Sequence, residues 1–366
     1  MNQLAVTVIP SGRRASRPTV SPLLVFFFIG WMQTLLAYVV FSRADDHGYF
    51  LELANSGVSI IPQFSQDELT LKAQAAGAVF YALCTPSRWL GGHELLHLLW
   101  LRGLTLVGFL AAFHWFVRVA APALPRSSRK RAMTAYMVLL LFYPGQLAWT
   151  ASLLRDGIAT ALFFYGLYCL QVNWRLIFSA VFFGASFAMR PEYSLILICL
   201  AFALMFHRIL SRVSRRVMFL VFILLLFSMA SHSIQVQAAA FGQLAFSEDG
   251  MAYPLVTGVF DLPGYARVLL QAVLEPIALS APHLNAFGLI DCGFFGYLLW
   301  HSRTMLRQRQ TRIAALSMAL LFGLWVFAYF EIYVSGFSRH RLCLQVALIA
   351  LLAVSRVMPD KIRPAR

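Results

Sequence analysis

PLLVFFFIGWMQTLLAYVVFS, residues 22–42, runs from end to end without a charged side chain. At about 1.5 Å of rise per residue, a helix this long crosses the ~30 Å hydrocarbon core of a bilayer. It is too long for a signal-peptide core, and no A-x-A-like cleavage site follows it, so it reads as a retained span. Comparable runs recur at 95–120, 133–148, 152–172, 176–190, 192–207, 217–233, 284–302, 312–333 and 342–356. The expected fold is all-α: a polytopic integral membrane protein with about ten transmembrane helices. Composition agrees, with 60% hydrophobic residues, 12% charged residues and a mean hydropathy of +0.71 over 366 residues.

Charge tests the span assignment. With Arg13, Arg14 and Arg17 in the cytoplasm, alternation puts three interior clusters on the same side. These are Arg126/Arg129/Lys130/Arg131, Arg208/Arg212/Arg215/Arg216 and Arg303/Arg307/Arg309/Arg312. Arg118, Arg175 and the tail Arg356/Lys361/Arg363/Arg366 join them, and Asp360 is the one acid there. A wrong span count would scramble this partition. The net charge of +15 therefore reads as basic cytoplasmic loops, not a nucleic-acid surface. Both termini are expected in the cytoplasm of a bacterial inner membrane.

The organisation that follows is a basic tail at 1–21, a membrane domain at 22–356 and a second tail at 357–366. Two long outer loops, 43–94 and 234–283, carry short interfacial helices near 76–84 and 266–279. Cys84, Cys169, Cys199, Cys292 and Cys343 are scattered, odd in number and lack metal-ligand spacing, so they read as small buried residues.

Chemistry is expected at the outer face, where ionisable residues gather. The first outer loop supplies Asp45, Asp46, His47 and Glu52. Later turns supply Arg155 and Asp156, then Arg190 and Glu192, then Glu331, Arg339, His340 and Arg341. Charges at membrane depth tend to be paired or functional. Acids from one loop and cations from three others suit transfer of a sugar from a lipid phosphate. Arginine forks bind the phosphate leaving group, and a carboxylate takes the acceptor proton. Each group also has a plainer role: a solvated loop start for Asp45 and Asp46, a helix-start pair for Arg155 and Asp156, a turn salt bridge for Arg190 and Glu192, and a lipid anchor for Arg339–Arg341.

Three stretches carry a family resemblance. DDHGY, 45–49, resembles the acidic loop-one motif of the GT-C superfamily, integral-membrane glycosyltransferases that use lipid-phosphate sugar donors. YPGQLAWTASLLRDGIATALFFYGL, 143–167, resembles its third-to-fourth helix passage, and GFSRHRLCLQVALIALLA, 336–353, its late arginine-containing turn. Protein O-mannosyltransferases and aminoarabinose transferases are members; no large C-terminal soluble domain like theirs is expected here. The resemblance implies a periplasmic active site with Asp45 as base and Asp46 as its acidic neighbour. It aligns Tyr49 with the motif tyrosine, and gives Arg155 and Arg339 or Arg341 to the phosphate. Asp156, Arg190, Glu192 and His340 complete the expected substrate-binding set. The expected partners are a polyprenyl-phosphate-linked sugar, the lipid bilayer and a glycan, lipid or protein acceptor. No cofactor is required, and a divalent cation fits the chemistry.

A second motif points elsewhere. GGHELLHLLW, 91–100, contains His93-Glu94-x-x-His97, the spacing that lets two imidazoles on one helix face bind Zn²⁺ with Glu94 as base. Asp291 is the best candidate for a third ligand, and a helix start in water is the plainer reading. Three alternatives to the transferase thus stand: an O-antigen or exopolysaccharide polymerase, a membrane zinc protease, and a lipid or solute transporter.

Overall fold

The computed structural model describes residues 21–40, 47–56, 67–143, 155–171, 175–190, 193–212, 286–307, 311–330 and 342–358. Every described element is helical. In chain order they are α1 (Pro22–Val40), α2 (His47–Ser56), α3 (Asp67–Leu83), α4 (Thr85–Trp89), α5 (Glu94–Ala120) and α6 (Arg126–Leu141). These are followed by α7 (Arg155–Leu170), α8 (Leu176–Met189), α9 (Tyr193–Arg212), α10 (Ala286–Arg307), α11 (Thr311–Phe330) and α12 (Leu342–Arg356). The expected span at 217–233 and the second outer loop lie outside the described residues.

The helices run up and down, and their contacts give the directions. Tyr136 donates to the Phe109 carbonyl at 2.7 Å and stacks on Phe113, and the short connection at 121–125 turns α6 back along α5. Small residues let α5 and α7 touch: a Cβ on Gly108 would meet Ala161 Cβ at 2.5 Å. Gln171, just past α7, donates to the Trp115 carbonyl, so these two helices are parallel. Between α7 and α8 the stitching repeats at helical spacing. Ser179 donates to Gly166 and Ser186 to Ala159, each at 2.8 Å, and the pairing is antiparallel. Arg312 at the start of α11 donates to the Val119 carbonyl and to His207, so the ends of α5 and α9 meet that start. All these contacts define one upper end, where α5, α7 and α9 begin, and one lower end, where they finish.

Helix α12 sits at the centre and packs against α5, α6, α10 and α11. Every side chain from Leu342 to Ser355 is buried, as expected of a helix apolar all round. Other apolar side chains face outward: Leu24, Phe28, Leu36 and Val39 on α1, Ile177 and Val181 on α8, and Ile198 and Met205 on α9. By length and composition, α1 and α5 are long and apolar enough to cross a bilayer, and five further apolar helices are shorter.

Two expectations need correction. The apolar run 133–148 misses the real bounds of α6, which starts at Arg126 after Pro125 and ends at Leu141. Arginine and lysine are good helix formers, so the basic stretch continues the helix. Pro144 disfavours helical backbone at Tyr143 and stops it early. The first outer loop is also more ordered than a single short interfacial piece. Three helices, α2, α3 and α4, lie there, and residues 76–83 are the second half of α3. Phe50 and Leu53 of α2 and Phe80 of α3 are buried against each other and tie the loop to the core.

Candidate functional site

Asp156 begins the site. It lies in the first turn of α7, where a carboxylate meets the positive end of the helix dipole. Its partner is Arg190, the C-cap residue of α8. The antiparallel register brings these two together across 34 positions of sequence. Asp156 is 0% exposed and Arg190 4%. Removing two charges from water is expensive, and each is tolerated because the other neutralises it. Beside them, the Tyr193 and Thr160 hydroxyls bond at 2.9 Å, both fully buried. The upper junction of α7, α8 and α9 is therefore a dry polar cluster.

Two more ionisable groups are buried in the same half. Arg102, 2% exposed, lies eight residues into α5 and donates to the Gly30 carbonyl of α1. That is ~12 Å below the start of the helix at the α-helical rise. With Gly108 opposite Ala161, Arg102 is ~9 Å and Asp156 ~7.5 Å above the shared contact, so the two lie at nearly one depth. Asp291, 3% exposed, sits near the upper start of α10. On α12, Gln345 is 0% exposed, and neither side-chain polar atom has a hydrogen-bond partner among the described residues. Arg102 and Gln345 were not singled out from sequence. A lone cation inside an apolar run, and a lone amide in LCLQVALIALLAV, were the signals available.

The H-E-x-x-H stretch turns out to hold the outer-loop helices. Gly91 and Gly92, at φ +116° and +65°, make a turn that side-chained residues rarely adopt. His93 then caps α5 with its backbone, and Glu94 opens the helix. His97 is fully buried; its Nδ1 lies 2.6 Å from Ser87 Oγ and its Nε2 3.1 Å from Asn55 Oδ1. Both ring nitrogens are thus engaged by protein groups, which leaves no lone pair aimed at a metal. Among the described residues, no three His, Cys, Asp or Glu side chains gather as a metal site. Next to His97, Arg88 donates to the carbonyls of Ala54 and Tyr81 at 2.6 and 2.7 Å, and to Thr85. Those carbonyls belong to the last turns of α2 and α3, which lack partners within their own helices. Burial pushes the nearby Cys84 thiol up to about 12, against a smaller opposing pull from Arg88.

Of the expected site residues, Asp156 and Arg190 are brought together. Asp45, Asp46, Glu192, Arg339, His340 and Arg341 lie outside the described residues. Tyr49 is in α2 and Arg155 opens α7. The chain matches no family model, no curated protein and no solved structure.

Proposed function

We propose that this chain is a polytopic membrane glycosyltransferase of GT-C type. It moves a sugar from a polyprenyl phosphate to a glycan, lipid or protein acceptor at the periplasmic face of a bacterial inner membrane. The observation that carries the reading is the burial of charge in one half of the bundle. Arg102, Asp156, Arg190 and Asp291 all lie in the upper half, the half against which α2, the helix that follows Asp45 and Asp46 in sequence, is packed. Apolar side chains facing outward on α1, α8 and α9 support a lipid surround. The up-and-down order, with basic residues at the lower end, supports cytoplasmic termini.

In this mechanism Asp45 takes the acceptor hydroxyl proton as the acceptor oxygen bonds to the anomeric carbon. The anomeric carbon–phosphate oxygen bond breaks, and polyprenyl phosphate leaves with the bonding electron pair. Asp46 supports the base. Arg155, Arg339 and Arg341 bind and stabilise the leaving phosphate, and Tyr49, Glu192 and His340 complete the substrate lining. Arg190, neutralised by Asp156, fixes the start of α7 that carries Arg155.

The test is the surface-glycan and glycolipid profile of a deletion strain complemented at equal membrane levels. Wild type and Glu94→Gln restore the missing glycan, and Asp45→Asn does not. Restoration by Asp45→Asn removes the base and favours a polymerase or a transporter. Loss with Glu94→Gln, together with bound zinc, favours a protease.

A further inference from the structure

We infer that His97 and Arg88 are positioning residues for the transfer reaction: together they latch the helix that directly follows the two loop acids onto the start of α5. The inference rests on the functional reading above. Helix α2 begins at His47, the residue after Asp46, and residues 41–46, which include both acids, join it in sequence to α1. A base must be held within hydrogen-bonding reach of its proton, so whatever anchors α2 sets where that stretch ends.

The anchor is specific and polar. Asn55, next to last in α2, meets His97 Nε2 at 3.1 Å, and the far side of the same ring meets Ser87 of α4 at 2.6 Å. One imidazole thus joins α2, α4 and α5. Arg88 of α4 adds α3 to the set, through the Ala54 carbonyl of α2 and the Tyr81 carbonyl of α3. Its guanidinium also lies over the Tyr81 ring, 3.4 Å from the centroid. The turn is built for this contact, since a Cβ on Gly92 would come within 3.3 Å of Asn55 Oδ1. Helix α3, held by Arg88, packs in turn on α8, the helix that ends at Arg190. The latch therefore connects α2 to the Asp156–Arg190 junction by way of α3 and α8. A solvated helix start needs neither a fully buried histidine nor an arginine shared by two helix ends.

The experiment compares wild type, His97→Leu, His97→Gln and Asp45→Asn, each purified in nanodiscs and each expressed in the deletion strain. Backbone hydrogen–deuterium exchange over 47–56 reads the latch, and the glycan profile reads the reaction. His97→Leu raises exchange over 47–56 at least tenfold, leaves exchange in α12 unchanged and lowers the glycan at least tenfold. His97→Gln, which still offers a donor and an acceptor, recovers most of both. Unchanged exchange over 47–56 in His97→Leu overturns the latch. Loosened exchange with full glycan overturns its positioning role, as does failure of His97→Gln to recover glycan when exchange is restored. Asp45→Asn separates the two readings: it abolishes glycan with exchange over 47–56 as in wild type. If Asp45→Asn keeps the glycan, the functional reading fails and the positioning role falls with it, while the exchange data still decide whether the latch exists.

Discussion

The upper and lower ends of this bundle handle charge in opposite ways. At the upper end Asp156 and Arg190 are buried and held by each other across the fold, and the half-buried Arg88 binds the ends of α2 and α3. At the lower end Arg126, Lys130, Arg131 and Arg303 are exposed to the surroundings. The contacts of Arg129 and Arg118 there are local or long. Arg129 donates to Leu124 five residues away, and Arg118 reaches Gln171 at 3.4 Å. An exposed cation keeps its hydration and contributes little to stability. A buried one loses that hydration and persists only where the fold or the function holds it.

The largest effect expected from this contrast comes from splitting the buried pair. Arg190→Met leaves Asp156 buried without its counter-charge, and a loss of about 3–5 kcal/mol is expected. The readout is the thermal unfolding midpoint in detergent, with the membrane level in cells. Replacing both partners, Asp156→Leu with Arg190→Met, removes both desolvation penalties and recovers most of the stability. The double variant folds and still fails to restore the glycan, because apolar packing does not hold the start of α7 as the ion pair does. Full glycan from the double variant would reduce the pair to a structural detail.

What the sequence disclosed, and what it hid, follows the same division. Long apolar runs and the alternation of basic clusters announce the helices and their directions, because burial and charge exclusion act locally on composition. Helix α12 matches its expected bounds of 342–356 for that reason. The union of Asp156 with Arg190 was not legible. Each looked like a partner for its neighbour in sequence, Arg155 or Glu192, and only the register of α7 against α8 selects the distant partner. The H-E-x-x-H motif misled in the complementary way. Its spacing assumes both histidines on one helix, but His93 is the extended residue that precedes α5, and Ser87 and Asn55, which no spacing rule ties to His97, take the His97 ring. Arg102 and Gln345 were passed over because single polar residues in apolar runs carry no pattern.

Gln345 gives the next effect, opposite in sign. Its amide is buried in α12 with no protein hydrogen bond among the described residues, a state that costs about 1–3 kcal/mol. Gln345→Leu keeps a similar volume and removes the polar atoms, so a stabilisation of about 1 kcal/mol is expected, read as a higher unfolding midpoint. A stability gain accompanied by glycan loss would make the amide a contact for substrate. A fall in stability would mean that the amide is satisfied in the folded protein, and the upper interior would then be less frustrated than it looks.

The smallest effect belongs to the lower end. Arg126 and Arg131 are exposed, with no buried partner to strand. Arg126→Ala and Arg131→Ala are each expected to shift stability by no more than about 0.5 kcal/mol, within the range for surface substitutions. Their glycan profiles should match wild type, because both residues lie at the lower end, away from the Asp156–Arg190 junction. The comparison with Arg190→Met is then internal: arginines of one chain, tested by one unfolding assay, separated by several kcal/mol because one set is hydrated and the other is not. A drop of more than about 2 kcal/mol for Arg131→Ala would break the comparison. It would mean that the lower cations are also held in desolvated contacts, and charge burial would no longer distinguish the end proposed for catalysis.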